Sequence, residues 1–224
     1  MSVEAPVSNS RENIILAVLT IGVGIVAAVM VAQGRSTPLE GVAFVTGAIC
    51  VWLTVKGNVW TFPLAIINVS AYFFVFLKAR IYGDMALQVV YLVLNLMGWY
   101  MWLFGGEKHT ALKIRHSGRN ELIAVGVLIP VIAVALWRTL IYLGGSASLG
   151  DAVTTSISLG AQWLMNRKLV ENWHLWIIAD ILYVPLYITR NLHLTAILYA
   201  VFLVMAVIGL FEWKAQAKET DVAV

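Results

Sequence analysis

Two carboxamides and three aromatic side chains recur along one segment of the chain. Gln88, Tyr91, Asn95, Trp99 and Trp102 fall at i, i+3, i+7, i+11 and i+14. At 3.6 residues per turn, these positions share one face of a helix. The remaining positions of the segment are mostly leucine, valine and methionine. Amides on a helix that is apolar elsewhere indicate a polar cavity inside a membrane protein.

Two more polar stripes occur at helical spacing in the second half of the chain. The first is Asp151, Thr155, Ser158, Gln162 and Asn166, and the second is Trp176, Asp180, Tyr183 and Tyr187. Polar side chains are costly in lipid and usually face a bundle interior or a water-filled cavity. We therefore predict a substrate site made by Asn68, Gln88, Asn95, Trp99, Gln162, Trp176, Asp180, Tyr183 and Tyr187.

Each of these side chains also has a structural interpretation. Asn and Gln often bridge membrane helices by hydrogen bonds, and the tyrosines can be packing aromatics. Asp151 starts its predicted helix, which is typical of an N-terminal cap. Trp102 and Trp213 end their helices, which is typical of an interfacial aromatic belt. Asp180 lies well inside its span, where it is interpreted as a counter-charge, a coupling-proton site or a helix-bridging group.

The aromatic residues near these polar positions favour a flat, cationic, aromatic ligand, because tryptophan and tyrosine faces stack on rings and attract cations. Enzyme signatures are absent from the sequence. It contains no Ser/His pair at helical spacing, no paired-aspartate motif and no Walker motif. The single cysteine, Cys50, excludes an internal disulfide and a cysteine-based metal cluster. We therefore predict no enzyme activity, no cofactor and no metal site.

Composition places these stripes in a polytopic membrane protein. Of the 224 residues, 61% are hydrophobic and 12% are charged, whereas about a quarter are charged in a typical soluble domain. A span needs about 20 apolar residues, so the chain has room for seven or eight helices. Apolar runs predict eight spans, at 13–33, 39–56, 60–78, 84–104, 121–143, 150–168, 173–189 and 194–213.

An internal repeat appears when the chain is shifted by 111 residues. Glu40 then meets Asp151, Trp52 meets Trp163, Lys56 meets Arg167, Tyr72 meets Tyr183 and Trp102 meets Trp213. The repeat predicts two parallel three-helix units at 39–104 and 150–213. The segment 105–149, a basic loop and a linker helix, joins them, while 1–38 adds an N-terminal helix and 214–224 a tail. Parallel repeats of this kind are a known transporter plan, with the substrate between the halves.

Basic residues predict the orientation of the chain. Ten lysines and arginines fall on the side of the N-terminus and four on the opposite side, with Arg138 near the outer end of its helix. Cytoplasmic loops carry the excess of positive charge, so both termini and the 105–120 loop are predicted to be cytoplasmic. Because the basic residues lie in short loops, we interpret the net charge of +3 as a topology signal and predict no nucleic-acid partner.

Three segments resemble the PnuC family of bacterial vitamin transporters. They are Leu-Gln-Val-Val-Tyr-Leu-Val-Leu-Asn-Leu-Met-Gly-Trp-Tyr-Met-Trp at 87–102, Asn-Arg-Lys-Leu-Val-Glu-Asn-Trp-His-Leu-Trp at 166–176, and the run from Asp180 to Tyr187. The resemblance covers about 39–213. It implies an all-α bundle similar in fold to the SWEET carriers, with one N-terminal helix followed by a 3+1+3 arrangement of the other seven.

The resemblance further implies uptake of nicotinamide riboside across the inner membrane by facilitated diffusion. A separate cytoplasmic kinase would phosphorylate and trap the vitamin, and a homotrimer is implied as the assembly. Some relatives carry thiamine, riboflavin or deoxynucleosides instead, and thiamine is also a flat cation. A membrane receptor that does not transport is the competing class, in which the polar stripes only hold helices together.

Overall fold

The structure, a computed structural model, describes residues 10–79, 82–142, 149–189 and 193–222. The predicted end of the fifth span at residue 143 lies outside these ranges, as do Arg80 and Arg190 of the charge count. The described residues form eight α-helices and one short 3₁₀ helix, Glu107–His109. The α-helices are α1 Ser10–Ala32, α2 Pro38–Val55, α3 Thr61–Ala79, α4 Tyr82–Phe104, α5 Arg119–Tyr142, α6 Leu149–Asn166, α7 Asn172–Thr189 and α8 His193–Val222.

The helices form two compact units, of which unit 1 ends at Ala111 and unit 2 begins at Leu112. In unit 1, α1 packs on α2, α2 on α3 and α3 on α4. In unit 2, α5 packs on α6, α6 on α7 and α7 on α8. Among the described helices, α1 to α5 and α8 are long and apolar enough to cross a membrane. Helices α6 and α7 are less apolar because they carry the polar stripes.

Helix bounds follow the 111-residue offset. The last residues of α2 and α6 differ by 111, and the first residues of α3 and α7 differ by the same number. The turn after α2 has Gly57 at a φ of 61°, and the turn after α6 has Lys168 at a φ of 52°. The amides of both residues donate to a carbonyl three residues back at 2.9 Å. The sequence repeat therefore corresponds to a repeat of local structure.

One aromatic pair in unit 1 has a counterpart in unit 2 at the same offset of 111 residues. The ring centroids of Phe62 and Trp102 lie 5.0 Å apart at 89°, and those of Trp173 and Trp213 lie 5.5 Å apart at 87°. All four side chains are almost completely buried. The prediction that Trp102 and Trp213 form an interfacial belt is therefore wrong: their large apolar rings fill the interiors of the two units, where burial stabilises most.

The starts of α2 and α6 each carry an acid in the first helical turn. A capping box begins α2, because Thr37 Oγ1 accepts from the amide of Glu40 at 3.2 Å while Glu40 Oε2 accepts from the amide of Thr37 at 2.6 Å. Asp151, the counterpart of Glu40, lies at the third residue of α6 and not before its first. Asp151 is therefore an acid of the first turn of α6, where its negative charge interacts favourably with the helix dipole.

Helix α8 continues nine residues past the predicted end of the last span at 213, to Val222. The apolar run predicts where lipid contact ends, whereas the helix itself ends only where its backbone hydrogen bonds stop. Glu212, Trp213 and Ala217 are buried on this last part of α8. The segment 214–224, predicted as a tail, thus begins as helix packed within unit 2.

The segment 115–118 is tied to the turn between α6 and α7, and we call these contacts the clasp. The amide of Arg115 donates to the carbonyl of Lys168 at 3.1 Å, and the amide of Val170 donates to the carbonyl of Arg115 at 3.0 Å. Glu171 accepts from the amide of Ser117 at 2.8 Å and from its hydroxyl at 2.6 Å. His116 Nδ1 lies 2.8 Å from Glu171 Oε1. The clasp holds the segment after the 3₁₀ helix onto unit 2.

Glu171→Gln is expected to loosen the clasp and to reduce the acid sensitivity of unit 2. Burial by itself would raise the pKa of Glu171, but the hydrogen bonds from Ser117 and His116 outweigh burial and lower it below its usual value of 4.5. A lowered pKa stabilises the fold above pH 4.5, and this stabilisation is lost as the pH falls through the folded-state pKa. We expect the variant to lose about 1–2 kcal/mol of unfolding free energy at pH 7.

Melting temperatures of the purified protein between pH 3 and pH 7 measure this effect. The exposed Glu107 is the matched control, and Glu107→Gln should leave the pH profile unchanged. A Glu171→Gln variant as stable as the parent at pH 7, with the same loss of stability on acidification, would contradict the prediction.

Candidate functional site

Helix α4 presents its amides to the interior of unit 1. Asn95 is 5% exposed, and Gln88, Tyr91 and Trp99 are half-buried. The neighbouring faces of the helix are exposed and apolar, as at Val89, Val90, Val93, Leu96 and Met97. The Nδ2 of Asn95 donates to the carbonyl of Tyr91 at 2.8 Å, which leaves the amide oxygen available as an acceptor. The helical spacing of the sequence therefore correctly identifies the inward face of α4.

Asn68 lies on α3 and bridges to α2 within unit 1. Its Nδ2 donates to the carbonyl of Ala43 and to Thr46 Oγ1, the latter at 3.1 Å. Both bonds use the donor side of the carboxamide. Asn68 therefore performs the helix-bridging role that is common for Asn in membrane helices, and its oxygen is the part that a ligand could still use.

The α6 stripe is buried within unit 2. Ser158, Gln162 and Asn166 are all at most 6% exposed, and Gln162 Nε2 donates to Asn166 Oδ1 at 3.1 Å. The buried hydroxyls of Thr154 and Ser156 donate to carbonyls of the preceding helical turn, which is a structural use. The Gln162 and Asn166 pair orients two carboxamides one above the other at the end of α6.

The α7 stripe becomes an aromatic cluster. The rings of Tyr183 and Tyr187 stack with centroids 5.7 Å apart, and Tyr199 from α8 lies 4.6 Å from Tyr183 and 5.0 Å from Tyr187. The hydroxyl of Ser158 lies 3.5 Å from that of Tyr183. We call Tyr183, Tyr187 and Tyr199 the tyrosine cluster.

Tyr199 is a member of this cluster that sequence reasoning did not select. It is the counterpart of Gln88 at the 111-residue offset, and that correspondence is the signal that could have identified it. In unit 1 the counterparts of Tyr183 and Tyr187 are Tyr72 and Phe76, which also stack at 5.7 Å. The stacked pair therefore occurs in both units. The third ring occurs in unit 2 alone, because unit 2 has Tyr199 where unit 1 has the amide Gln88.

Asp180 is buried on the same face of α7 as the two tyrosines, three residues before Tyr183. Its side chain is 4% exposed. Among the residues that the structure describes, none donates a hydrogen bond to it or forms an ion pair with it. Trp176, one turn earlier on α7, is half-buried. A buried carboxyl group that no described residue pairs with costs free energy unless a ligand, water or a proton satisfies it, which makes Asp180 a candidate binding group.

These groups can recognise a flat, polar ligand. The tyrosine cluster offers ring faces for stacking and cation–π contact, Asp180 offers a carboxylate, and the carboxamides offer donors and acceptors for hydroxyl and amide groups. No group of three or more His, Cys, Asp and Glu side chains is placed to hold a metal ion within the described ranges.

Known proteins with similar sequences or structures agree with this chemistry. A nicotinamide riboside transporter PnuC of Neisseria mucosa is 30% identical over 80% of this chain and 73% of its own length. A riboflavin/roseoflavin transporter RibM of Streptomyces davaonensis is 23% identical over 75% of this chain and 81% of its own. A crystal structure of the vitamin B3 transporter PnuC superposes with a TM-score of 0.75 at 26% identity, covering 95% of this chain and 94% of that one.

A family model described as nicotinamide mononucleotide transporter matches residues 37–215. This range begins next to α2 and runs into α8, so it includes every amide, tyrosine and acid of the candidate site. The match excludes α1 and the last residues of α8, which carry none of the candidate residues. The chain therefore belongs to the nicotinamide mononucleotide transporter family, and it is similar to PnuC transporters in sequence and in structure.

Proposed function

We propose that this chain carries nicotinamide riboside across the bacterial inner membrane by facilitated diffusion. The observation that supports this substrate most directly is the α7 stripe, where a buried carboxyl that no described residue pairs with lies beside stacked tyrosines. Nicotinamide riboside is a flat aromatic cation with a ribose and a primary amide. The carboxylate would balance the charge, the rings would stack on the pyridinium, and the amides would bind the hydroxyl groups.

The transport cycle we propose uses the two repeated three-helix segments as moving parts. In this arrangement α1 is an additional helix, α2–α4 and α6–α8 are parallel SWEET-like repeats, and α5 links them. Rocking of the repeats would alternate access to the substrate, as in other parallel-repeat transporters. The excess of lysine and arginine in alternate loops supports cytoplasmic termini.

Directional uptake would require a second protein. A carrier that equilibrates its substrate accumulates nothing by itself, so we propose that a separate cytoplasmic kinase phosphorylates the imported riboside and traps it. We also propose a homotrimer as the assembly, on the strength of the family resemblance. The family supports a transport role with no chemical conversion by this chain.

Uptake into proteoliposomes tests the proposed function. Purified protein in vesicles free of kinase should admit radiolabelled nicotinamide riboside with saturable kinetics until its concentrations inside and outside the vesicle are equal. Uncouplers should not change the rate of uptake. Competition by thiamine and riboflavin on the same preparation measures selectivity. Riboflavin is the second candidate because of the similarity to RibM. No saturable flux of any of the three compounds would leave a receptor as the better proposal.

Gln88→Ala and Asn95→Ala are expected to weaken binding of nicotinamide riboside without unfolding unit 1. Each removes a carboxamide from the inward face of α4, and a hydrogen bond to a neutral ligand group contributes about 0.5–1.5 kcal/mol. We therefore expect a loss of about three- to tenfold in affinity for each single variant, measured by titration calorimetry.

The matched control for these two variants is Asn58→Ala. Asn58 is an exposed amide in the turn between α2 and α3, where its side chain accepts only from the amide of Trp60 at 3.0 Å. Affinity in this control should equal that of the parent. If Gln88→Ala and Asn95→Ala both leave the affinity unchanged, the α4 amides have no part in the site.

A further inference from the structure

A groove of about 300 Å³ lies between α5 and α6 within unit 2. Helix α5 lines it with Asn120, Ala124 and Leu128, which recur every four residues and so follow one face of the helix for about 12 Å. On the other side, the groove is lined by Trp163 from α6 and by Arg167, which directly follows that helix. The groove is therefore polar at one end and apolar along the rest of its length.

The polar end of the groove carries a net positive charge. Arg167 forms an ion pair with Glu121 at 2.8 Å, and Arg115 binds the same carboxylate with two nitrogens, at 2.8 and 3.0 Å. Glu171 also interacts electrostatically with Arg115, so these two arginines meet two carboxylates. A further arginine, Arg119, is exposed in the first turn of α5. The charge at this end is complementary to an anion.

Arg167 keeps donors for such an anion. The pair with Glu121 uses one terminal nitrogen of its guanidinium group, and a guanidinium group has five N–H donors. The group lies 6.0 Å from the ring centre of Trp163 and its side chain is 36% exposed. The guanidinium group therefore lies over the indole ring at the outer limit of a cation–π contact, and its partly exposed side chain lines the groove.

We propose that this groove binds an anionic phospholipid. The headgroup phosphate would contact Arg167 and Asn120, and one acyl chain would lie along Ala124, Leu128 and Trp163. Charge favours an anionic headgroup over a zwitterionic one, because the polar end has an uncompensated positive charge. The apolar part of the groove favours a lipid over a free anion, because a free anion would not contact Leu128. This site is separate from the amides and tyrosines of the substrate site and is independent of which vitamin is carried.

Delipidated protein in a neutral detergent provides the test. Phosphatidylglycerol should bind more tightly than phosphatidylcholine with the same acyl chains, as measured by native mass spectrometry and by the increase in melting temperature. Arg167→Gln should reduce the affinity for phosphatidylglycerol about fivefold to tenfold, because one charge-assisted contact is lost. Each variant is compared with its own lipid-free melting temperature, since Arg167→Gln also removes an ion pair.

Arg138→Gln is the matched control. Arg138 is an exposed arginine near the other end of α5, and its guanidinium group lies 5.7 Å from the ring centre of Trp137. It has the same kind of contact with an indole ring but lies outside the groove, so its loss should not change the preference for phosphatidylglycerol. Leu128→Trp leaves the ion pairs intact but fills the apolar part of the groove, and it should weaken binding of phosphatidylglycerol.

Five outcomes would overturn the proposal. The first is equal binding of phosphatidylglycerol and phosphatidylcholine, and the second is an Arg167→Gln variant that binds phosphatidylglycerol like the parent. The third is a loss of affinity for phosphatidylglycerol in Arg138→Gln as large as that in Arg167→Gln. The fourth is stabilisation by glycerol 1-phosphate as strong as that by the lipid, which would indicate a site for a free anion. If Leu128→Trp changes the oligomeric mass but not lipid binding, a second copy of the chain occupies the groove and the lipid proposal is wrong.

Discussion

Asp180→Leu is expected to make the ligand-free protein more stable and to weaken its binding of nicotinamide riboside. Asp180 is 4% exposed, and no described residue forms a hydrogen bond or ion pair with it. Removing an unpartnered polar group from an apolar interior should raise the melting temperature by a few degrees. Removing the counter-charge should lower the affinity for the cation by about tenfold to hundredfold, which corresponds to about 1.4–2.8 kcal/mol.

The charge itself is tested with a matched pair of ligands. Reduced nicotinamide riboside has nearly the same shape as the oxidised form but no positive charge on its ring. Asp180→Asn keeps the size of the side chain and removes only its charge, so it should weaken binding of the oxidised form and leave binding of the reduced form almost unchanged.

The two measurements together separate a binding role from a structural role. If Asp180 bridges helices, Asp180→Leu should lower the melting temperature, and Asp180→Asn should affect both ligands alike. Either result would contradict the interpretation of Asp180 as a counter-charge. Uptake that responds to uncouplers in the parent and not in Asp180→Asn would assign the carboxyl to proton coupling instead.

Gly209→Ala is expected to destabilise unit 2 strongly. A Cβ atom at residue 209 would lie 2.5–2.6 Å from three ring atoms of Trp173. That ring is 1% exposed and packs edge-on against Trp213, so it has no space into which to move. Overpacking of a buried core costs about 1–3 kcal/mol or more, which should lower the melting temperature by roughly 5–10 °C.

The control for this prediction is Gly126→Ala on α5, where an added Cβ meets no atom within 4 Å. Alanine is the better helix former by about 1 kcal/mol, so Gly126→Ala should be neutral or slightly stabilising. Trp173→Phe in the Gly209→Ala background should recover part of the loss, because the counterpart of Trp173 in unit 1 is Phe62. A melting temperature of Gly209→Ala equal to that of the parent would show that the indole can shift.

Helical periodicity predicted the inward faces well. Asn95 and Gln162 are buried where the spacing places them, and the offset of 111 residues reappears in the helix bounds and in the left-handed turn residues Gly57 and Lys168. Periodicity succeeds here because a membrane helix is regular and has one inward face. Apolar runs predicted eight spans, and eight α-helices are found in the described residues, of which six are apolar enough to cross a membrane.

The hydrogen-bond and packing partners of the inward-facing side chains could not be predicted from periodicity. Spacing shows that Asn68 and Asn95 face inward, but it does not show that Asn68 bonds to α2 while Asn95 bonds within its own helix. Trp102 was expected at the membrane surface because it ends an apolar run, yet it fills the interior of unit 1 against Phe62. The clasp was also missed, because Glu171 meets Ser117 across 54 positions of sequence.

The sequence by itself determined the membrane class, the helix faces and the family resemblance, since hydropathy, 3.6-residue spacing and local motifs are properties of neighbouring residues. Only the tertiary structure decided which inward groups are paired and which are left free. It brought Tyr199 to Tyr183 and Tyr187, left Asp180 without a described partner and placed Arg167 over Trp163 beside the groove. Such contacts depend on how separate helices pack, and the free energy of a buried polar group depends on the partners that packing supplies.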